Sequence, residues 1–489
     1  MKFKLSENAV TAKQYIEELK AACGKISDEA VREAIEEISA KRIAEIRATE
    51  TNVEVKGTKY YVSLDGDDNA EGKAPESAWK TLDKASEAEL EPGDGVFFRR
   101  GDFFRGYLAT KPGVTYSAYG KGAKPVICGW FKNSADPDLW QETDVKGVWA
   151  YKEPCEKDIG NVVFDDKIQI RKILLLEQPE GVFSDVRTKA PFKDYHDIVE
   201  NHTFYHDYMG TGTLYLRCDE GNPGERYSEI EMSKKQHCIG NGRNNNVTID
   251  NLCIKHAGSH GIGGGNCEGL TVQNCEFGWI GGSIQGERIF GRNWPTPYGN
   301  AIEIYGQAVN YTVDNCYIWQ AYDAGITHQS GAKSGNIGDK NIHYTNNVIE
   351  DCVYAIEIFV GDDGTATVFN DDVYIENNIL RRGGGFGHDQ RPDQGVTALI
   401  RNGRMTENTH NYIVKNNIFD RSRTRIITAG NDGASKAQYF DNIYVQNKNG
   451  AYCNRFGNSY IANEHLMPQL EATGTETNPY LILTDELGF

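Results

Sequence analysis

One short pattern returns six times between residues 244 and 420, and it limits the possible folds of this chain more than any other feature. Each copy reads apolar-x-apolar-x-Asn-x-x-apolar, and a weaker copy centres on Asn442. The asparagines of the six copies are Asn251, Asn274, Asn315, Asn346, Asn377 and Asn416. Alternation with a period of two indicates β-strands, and stacked copies bury a core that no single copy could form. The sequence therefore predicts an all-β chain folded as a right-handed parallel β-helix, with these asparagines in one column.

A second short strand follows the asparagine in each copy. Its central isoleucines are Ile262, Ile302, Ile326, Ile356, Ile400 and Ile427. If these side chains point into the coil, the next residue of each strand points outward, because neighbouring side chains alternate between faces. The outward column would then consist of Gly263, Glu303, Thr327, Glu357, Arg401 and Thr428.

Two copies have a longer segment before this second strand. The extra residues are about 283–299 and about 383–397. In a regular coil such insertions must leave the helix, so we expect them to form walls above the outward column.

The flanking segments differ from the repeat. Residues 7–48 are predicted to form two helices, with Ser27 capping the second, that cover an open end of the β-helix or form an oligomer contact. The predicted division is 1–55 helical segment, 56–148 first coils, 149–235 β-rich insertion or early coils, 236–453 main coils with the cleft, and 454–489 C-terminal cap.

Charge and composition exclude several partners. The net charge is −18 and no basic stripe occurs, so nucleic acid and anionic membrane are not expected to bind. No apolar run reaches the roughly 20 residues that cross a bilayer, and the first residues lack the features of a secretion signal. Eleven cysteines without a CxxC pair favour reduced thiols in the cytoplasm. We expect neither a cofactor nor a metal.

Two carboxylates on the same outward face predict acid/base chemistry on a glycosidic bond. Glu357 is the predicted general acid/base, with Glu303 or Asp323 as its partner. Glu303 and Glu357 would lie two coils apart, or roughly 9–10 Å between backbones at the spacing of stacked strands. Asp323 lies on the coil between them, so the sequence leaves open which pair acts and whether the sugar configuration is retained or inverted.

Aromatic and polar side chains near these carboxylates predict a saccharide subsite for short oligosaccharides. Residues 322–329 contribute several of these groups, and both walls contribute others. The predicted substrate-binding residues are Thr327, His328, Gln329, Trp294, Tyr298, His260, His388, Arg391, Asp393 and Arg401.

Several motifs resemble parallel β-helix carbohydrate-active proteins of the pectate-lyase-like superfamily. They are the opening YYV-x-x-x-G-x-D, the Pro92-Gly93-Asp94 turn, the stretch RNWPTPYGNAIEIYG…NCYIWQAYDAGITHQ, and QRPD in the second insertion. Among named families the chain resembles the intracellular β-helix β-xylosidases. That resemblance implies a retaining glycosidase in which Glu357 is the acid/base. Thr327 stands at the position of the nucleophilic Asp, so xylosidase specificity is not implied.

Two other functions fit the same pattern. A polysaccharide lyase would need a base, such as His328 or Tyr322, and a cation, either Arg401 or a metal, to neutralise a uronate carboxylate. A carbohydrate-binding β-helix without catalysis would need neither. The carboxylate pair and the net charge favour a hydrolase.

Overall fold

Three columns of parallel strands make up most of the described chain. The computed structural model describes residues 3–286, 295–332, 337–362, 368–385, 396–429, 436–455, 458–485 and 487–488. Each coil contributes one strand to each column in turn, and the fold is a right-handed parallel β-helix, as predicted.

The sheet that carries the predicted outward column is called the floor sheet. Its strands are Leu108–Ala109, Ile239–Gly242, Ile262–Gly264, Ile302–Tyr305, Ala324–Ala332, Tyr354–Asp362, Ala398–Met405, Arg425–Ala429, Ala451–Arg455 and the antiparallel Asn458–Ile461. The six isoleucines pair with one another in register and are fully buried, which confirms their inward position.

The second sheet is called the covered sheet because the N-terminal helices lie on it. Its strands are Phe103–Arg105, Val126–Cys128, Cys253–Lys255, Glu276–Ile280, Tyr317–Ala321, Val348–Glu350, Ile379–Gly383, Ile418–Ser422, Ile443–Asn447 and Tyr480–Thr484. The third sheet contains Lys59–Val62, Gly95–Arg99, Thr115–Tyr119, Thr248–Asp250, Thr271–Gln273, Ala308–Asp314, Ile337–Thr345, Val368–Glu376, Thr409–Lys415, Gln438–Phe440 and Glu476–Thr477, with Cys267–Glu268 beside Ala308–Asp314.

The six predicted asparagines stand in one column at the turn after the third sheet. All six have left-handed backbones with φ between 52° and 59°, a conformation that asparagine tolerates better than most residues. The fully buried side-chain ladder lies one residue later, at Asn347, Asn378, Asn417 and Asn442. There the backbone N–H of each asparagine donates to the side-chain oxygen of the next, at 2.9–3.0 Å. The predicted column is confirmed, and Asn442 belongs to the second ladder.

Helices α1 (Ala12–Ala22) and α2 (Asp28–Ala48) form as predicted, and the Ser27 hydroxyl accepts a hydrogen bond from the Ala30 N–H. Their expected placement over an open end is wrong. Their apolar residues pack on the outer face of the covered sheet, against side chains that include Val348, Ile379 and Ile418. In the described ranges, no helix combines the length and apolar composition that a bilayer crossing requires.

Short helices lie at Leu82–Glu87, Pro223–Arg226 and Leu466–Glu471, and 3-10 turns at Pro75–Ser77, Pro137–Leu139, Pro179–Gly181 and Tyr195–Asp197. Leu82 and Leu466 join the hydrophobic core of the coils. These two helices therefore bury apolar surface of the first and last coils.

An accessory sheet, built mainly of antiparallel pairs, lies beside the coils. Its strands are Trp140–Glu142, Val148–Tyr151, Ile159–Phe164, Ile168–Lys172, Thr203–His206, Leu214–Arg217 and Ile230–Lys234, with a separate hairpin of Leu175–Glu177 and Phe183–Asp185. The buried Asp158 carboxylate pairs with Lys172 at 2.7 Å and accepts the Ile284 N–H at 2.6 Å. Ile284 belongs to the hairpin Ser283–Gly286 and Thr296–Tyr298 that forms the stem of the first insertion. The accessory sheet thus holds the stem of the first insertion in place.

Candidate active site

The outward column of the floor sheet is continuous, as predicted. Register places Gly240, Gly263, Glu303, Thr327, Glu357, Arg401 and Thr428 side by side on successive strands. Neighbouring strands lie about 4.8 Å apart, so the backbones of Glu303 and Glu357 are separated by roughly 9–10 Å. One strand, which carries Thr327, lies between them.

Glu303 lies among neutral groups. Its Oε2 accepts a hydrogen bond of 2.5 Å from Asn300 Nδ2. The orientation of that amide is fixed because Asn300 Oδ1 accepts the Ala324 N–H at 2.8 Å. Burial raises the pKa of the Glu303 carboxyl to about 7; the Asn300 hydrogen bond opposes this rise and the charge of Asp323 adds to it. Glu303 can therefore carry a proton near neutral pH.

His260 contacts Glu303 without forming an ion pair. Its Nδ1 lies 3.0 Å from Glu303 Oε2 and accepts the backbone N–H of Asn300 at 3.0 Å. Nδ1 therefore presents a lone pair, and burial lowers the pKa of His260 to about 4. A neutral imidazole nitrogen of this kind can accept a proton shared by Glu303 but cannot stabilise its charge.

Aromatic and imidazole rings close the column on one side of Glu303. His237 stacks on His260 with ring centroids 5.1 Å apart, and a Cβ at Gly263 would come within 2.8 Å of the His237 ring. Tyr107 lies over Gly240 in the same way. A larger residue at either position would have to displace the ring. The column is thus covered before Glu303 and continues only toward Glu357.

Tyr298, from the stem of the first insertion, completes this enclosure. Its ring meets His260 edge-on at 5.2 Å, and its hydroxyl lies 2.7 Å from Ser259 Oγ. Burial raises the pKa of Tyr298. The structure therefore brings the predicted residues His260 and Tyr298 together at Glu303.

Glu357 has a charged and polar environment instead. Its Oε1 pairs with Arg401 Nη1 at 2.9 Å, and its Oε2 accepts a hydrogen bond from Gln329 Nε2 at 3.0 Å. Arg401 lies over the Tyr354 ring, 4.5 Å from its centroid, which fixes the guanidinium. Only 5 % of Glu357 is exposed. The Glu357 carboxyl group thus contacts a cation and an amide, whereas Glu303 contacts an amide and an imidazole.

Thr327 lies on the strand between the two glutamates, and Asp323 immediately precedes that strand. Thr327 is fully buried, and within the described ranges its hydroxyl has no hydrogen-bond partner. Asp323 is nearly buried at the corner of the coil, where its carbonyl accepts the Tyr354 N–H at 2.9 Å. Its charge acts on both His260 and Glu303. Asp323 is therefore a carboxylate whose charge raises the pKa of Glu303.

The expected position of His328 on this surface is wrong. His328 pairs with the inward Ile304 and Ile358 and is fully buried. Its Nδ1 lies 2.7 Å from the Tyr344 hydroxyl and its Nε2 lies 3.3 Å from Asn370 Oδ1. Strand alternation explains this, because His328 is two residues from the inward Ile326. Tyr322, the other base considered for a lyase, is also fully buried.

Four predicted binding residues from the two insertions lie outside the described residues. They are Trp294, His388, Arg391 and Asp393.

Two aromatic residues beside the column escaped the sequence analysis. Tyr305 and Phe359 flank Gln329 in the next outward row of the floor sheet. They are 62 % and 37 % exposed. The sequence could have predicted them, because each lies two residues after a glutamate of the column and therefore on the same face of its strand. Exposed rings beside a polar column offer flat surfaces on which a sugar ring can stack.

Comparisons with known proteins give structural likeness only. No protein-family model and no curated protein matches the chain. Three similar solved structures are a complex of XylC with xylose, the GH136 lacto-N-biosidase from Eubacterium ramulus, and the polygalacturonase from Erwinia carotovora ssp. carotovora. The XylC complex is 12 % identical, with 87 % of this chain and 83 % of that chain covered and a TM-score of 0.41. The lacto-N-biosidase is 14 % identical, with 96 % and 74 % covered and a TM-score of 0.37.

The polygalacturonase is 12 % identical, with 90 % of this chain and 96 % of that chain covered and a TM-score of 0.38. Likeness at this level does not identify a reaction, because one fold serves many activities. The strand pairing described above defines the class of this chain, a parallel β-helix, and its function has to be argued from the floor sheet.

Proposed function

We propose that this chain is a glycoside hydrolase acting on short oligosaccharides, with Glu303 and Glu357 as its catalytic carboxyl groups. The observation that carries the proposal is that these two carboxyl groups lie on the floor sheet in different environments. Burial and the charge of Asp323 favour the protonated form of Glu303, whereas Glu357 is paired with Arg401. Two carboxyl groups with opposite protonation preferences are the requirement for acid/base cleavage of a glycosidic bond.

In the proposed reaction Glu303 donates its proton to the leaving oxygen as the glycosidic bond breaks. A water molecule attacks the anomeric carbon from the opposite face, and Glu357 accepts the proton of that water. The backbone separation of roughly 9–10 Å is near the inverting range of about 6.5–9.5 Å between carboxyl groups. We therefore propose inversion, with Asp323 raising the proton affinity of Glu303.

This assignment differs from the one implied by the resemblance to β-xylosidases, in which Glu357 is the acid/base. The Arg401 contact opposes proton donation by Glu357, and Thr327 offers no carboxylate at the nucleophile position. A hydrolase is favoured over a lyase because both proposed lyase bases, His328 and Tyr322, are buried inside the coil.

The enclosure beside Glu303 supports short substrates. Tyr107 and His237 cover the column on that side, so a long chain has no path along the floor beyond Glu303. Tyr305 and Phe359 provide stacking surfaces on the other side. We propose that the substrate is bound as a small saccharide or a chain end.

The cysteines support a reducing compartment. The sequence has eleven cysteines and no CxxC pair, and nine of them are buried. We propose that the protein acts in the cytoplasm.

The test is a screen of aryl glycosides and short oligosaccharides with the wild type, Glu303→Gln and Glu357→Gln. Hydrolysis that both variants abolish, with an inverted first product seen by proton NMR, is the expected result. Release of an unsaturated uronate would instead identify a lyase, and saccharide binding without turnover would identify a binding protein.

A further inference from the structure

A basic groove lies on a different face from the candidate active site. It has a volume of about 700 Å³ and is bounded by the end of α2 and the first strands of the third sheet. Its lining includes the cations Arg47, Lys59, Arg100 and Lys121, and one carboxylate, Glu50. In a chain of net charge −18 this concentration of positive charge is unusual. Such a groove attracts anions.

Arg100 lines the groove and donates hydrogen bonds only to neutral oxygens. Its Nη2 donates to the Thr49 carbonyl at 2.9 Å and to Asn251 Oδ1 at 3.0 Å. The buried Lys124 donates to the same Asn251 oxygen at 2.9 Å. Burial lowers the pKa of both cations. Two cations thus share one neutral acceptor, an arrangement that an added anion would stabilise.

The neighbouring Asp250 carboxylate already accepts hydrogen bonds from neutral donors. Asp250 accepts hydrogen bonds from Ser117, Asn251, Gln273 and Asn274. Among the described residues no carboxylate lies within ion-pair distance of Lys59, Arg100 or Lys121, whereas Arg47 pairs with Glu276 at 3.0 Å. In the part of the chain that the structure describes, three of the four lining cations therefore have no carboxylate at ion-pair distance, although the charges of Asp250 and Glu50 act on Arg100.

Aromatic rings line the same groove. Tyr61 meets Tyr119 edge-on with centroids 5.0 Å apart, and Lys59 Nζ lies 5.7 Å from the Phe97 centroid. The volume is within the range of small-molecule sites. We infer that this groove is a binding site for a small molecule that joins a ring to a carboxylate or phosphate group.

Isothermal titration calorimetry tests the inference with three anionic probes and their neutral counterparts. The pairs are galacturonate with galactose, glucose 6-phosphate with glucose, and AMP with adenosine. At least one anion is expected to bind tenfold or more tightly than its counterpart, with an affinity that falls as salt is added. The pair that shows this difference tells whether the groove prefers a carboxylate or a phosphate group.

The variants place this binding in the groove. The double variant Lys59→Glu/Lys121→Glu should weaken it at least tenfold, and both side chains are exposed, so the fold should tolerate the change. The control Lys146→Glu/Lys167→Glu makes the same charge change at exposed positions elsewhere and should leave binding unchanged. Anions that bind no better than neutral probes, or that both double variants weaken equally, would overturn the inference.

Discussion

The two glutamates of the floor sheet stand on equivalent positions of the same repeat, yet their surroundings differ in kind. Glu303 contacts an amide and a neutral imidazole beside stacked rings, and the charge of Asp323 also acts on it. Around Glu357 the neighbours are a guanidinium and a second amide. The repeat supplies the position of a carboxyl group, and the residues that differ between coils decide whether that group holds a proton.

The largest effect should come from exchanging either glutamate for glutamine. With an unactivated leaving group, Glu303→Gln and Glu357→Gln should each reduce kcat by about 10²–10⁴-fold. With an activated aryl leaving group, Glu303→Gln should recover most of its activity because that group needs little protonation, whereas Glu357→Gln should not. Steady-state kinetics on both substrates measure this difference.

Glu268→Gln, at an exposed position of the third sheet, is the matched control and should retain wild-type activity. If the activated substrate rescued Glu357→Gln instead, the two roles would have to be exchanged.

Arg401→Met should have the next largest effect. It removes a hydrogen bond to a charged group, typically about 1.5–3 kcal/mol, which corresponds to about 10–150-fold in kcat/KM. The loss of the cation disfavours the ionised form of Glu357, so the acid limb of the pH profile should move to higher pH. Arg401→Lys keeps the charge and should keep that limb in place. An unmoved limb in Arg401→Met would show that the ion pair does not control Glu357.

A smaller effect is expected at the exposed rings. Tyr305→Ala and Phe359→Ala should raise KM by about 2–12-fold, since an aromatic contact contributes about 0.5–1.5 kcal/mol, and should leave kcat almost unchanged. Tyr305→Phe retains the ring and serves as the control. Equal losses in Tyr305→Phe and Tyr305→Ala would argue against stacking.

The smallest effect concerns pH. Glu303 must be protonated to act as an acid, so kcat/KM should fall as pH rises through about 7. The Asn300 amide stabilises the charged form of Glu303, and its removal should raise the pKa further. Asn300→Ala should therefore shift the alkaline limb to higher pH by about one unit or less, as for a single hydrogen bond. A shift to lower pH would contradict the proposed role of Asn300.

The repeat made the fold and the column predictable, because inward isoleucines and left-handed asparagines recur at fixed spacing. It did not reveal the buried ladder through Asn347 and Asn378, since earlier coils have Cys275 and Cys316 at that position. The sequence also did not predict the different environments of Glu303 and Glu357. They depend on contacts such as Arg401, which is 44 residues from Glu357 in sequence and adjacent only after folding.

The sequence also contains a pattern that predicts where helices α1 and α2 pack. The strands of the covered sheet carry consecutive apolar residues, such as Val348 and Ile349, and alternation must turn one of them outward. An outward apolar column requires a cover, and α1 and α2 provide it.

That cover makes the docking of helix α1 depend on residues that are synthesised much later. Lys20 Nζ donates to the Asn478 carbonyl at 2.6 Å, across 458 positions of sequence, and the Gly24 N–H donates to the Tyr480 hydroxyl at 3.1 Å. The coils can form one after another from local contacts, but α1 leaves the ribosome long before its docking strands exist. The contacts of α1 with the covered sheet can therefore form only after the strand Tyr480–Thr484 has been synthesised, whereas α1 can pack on α2 earlier.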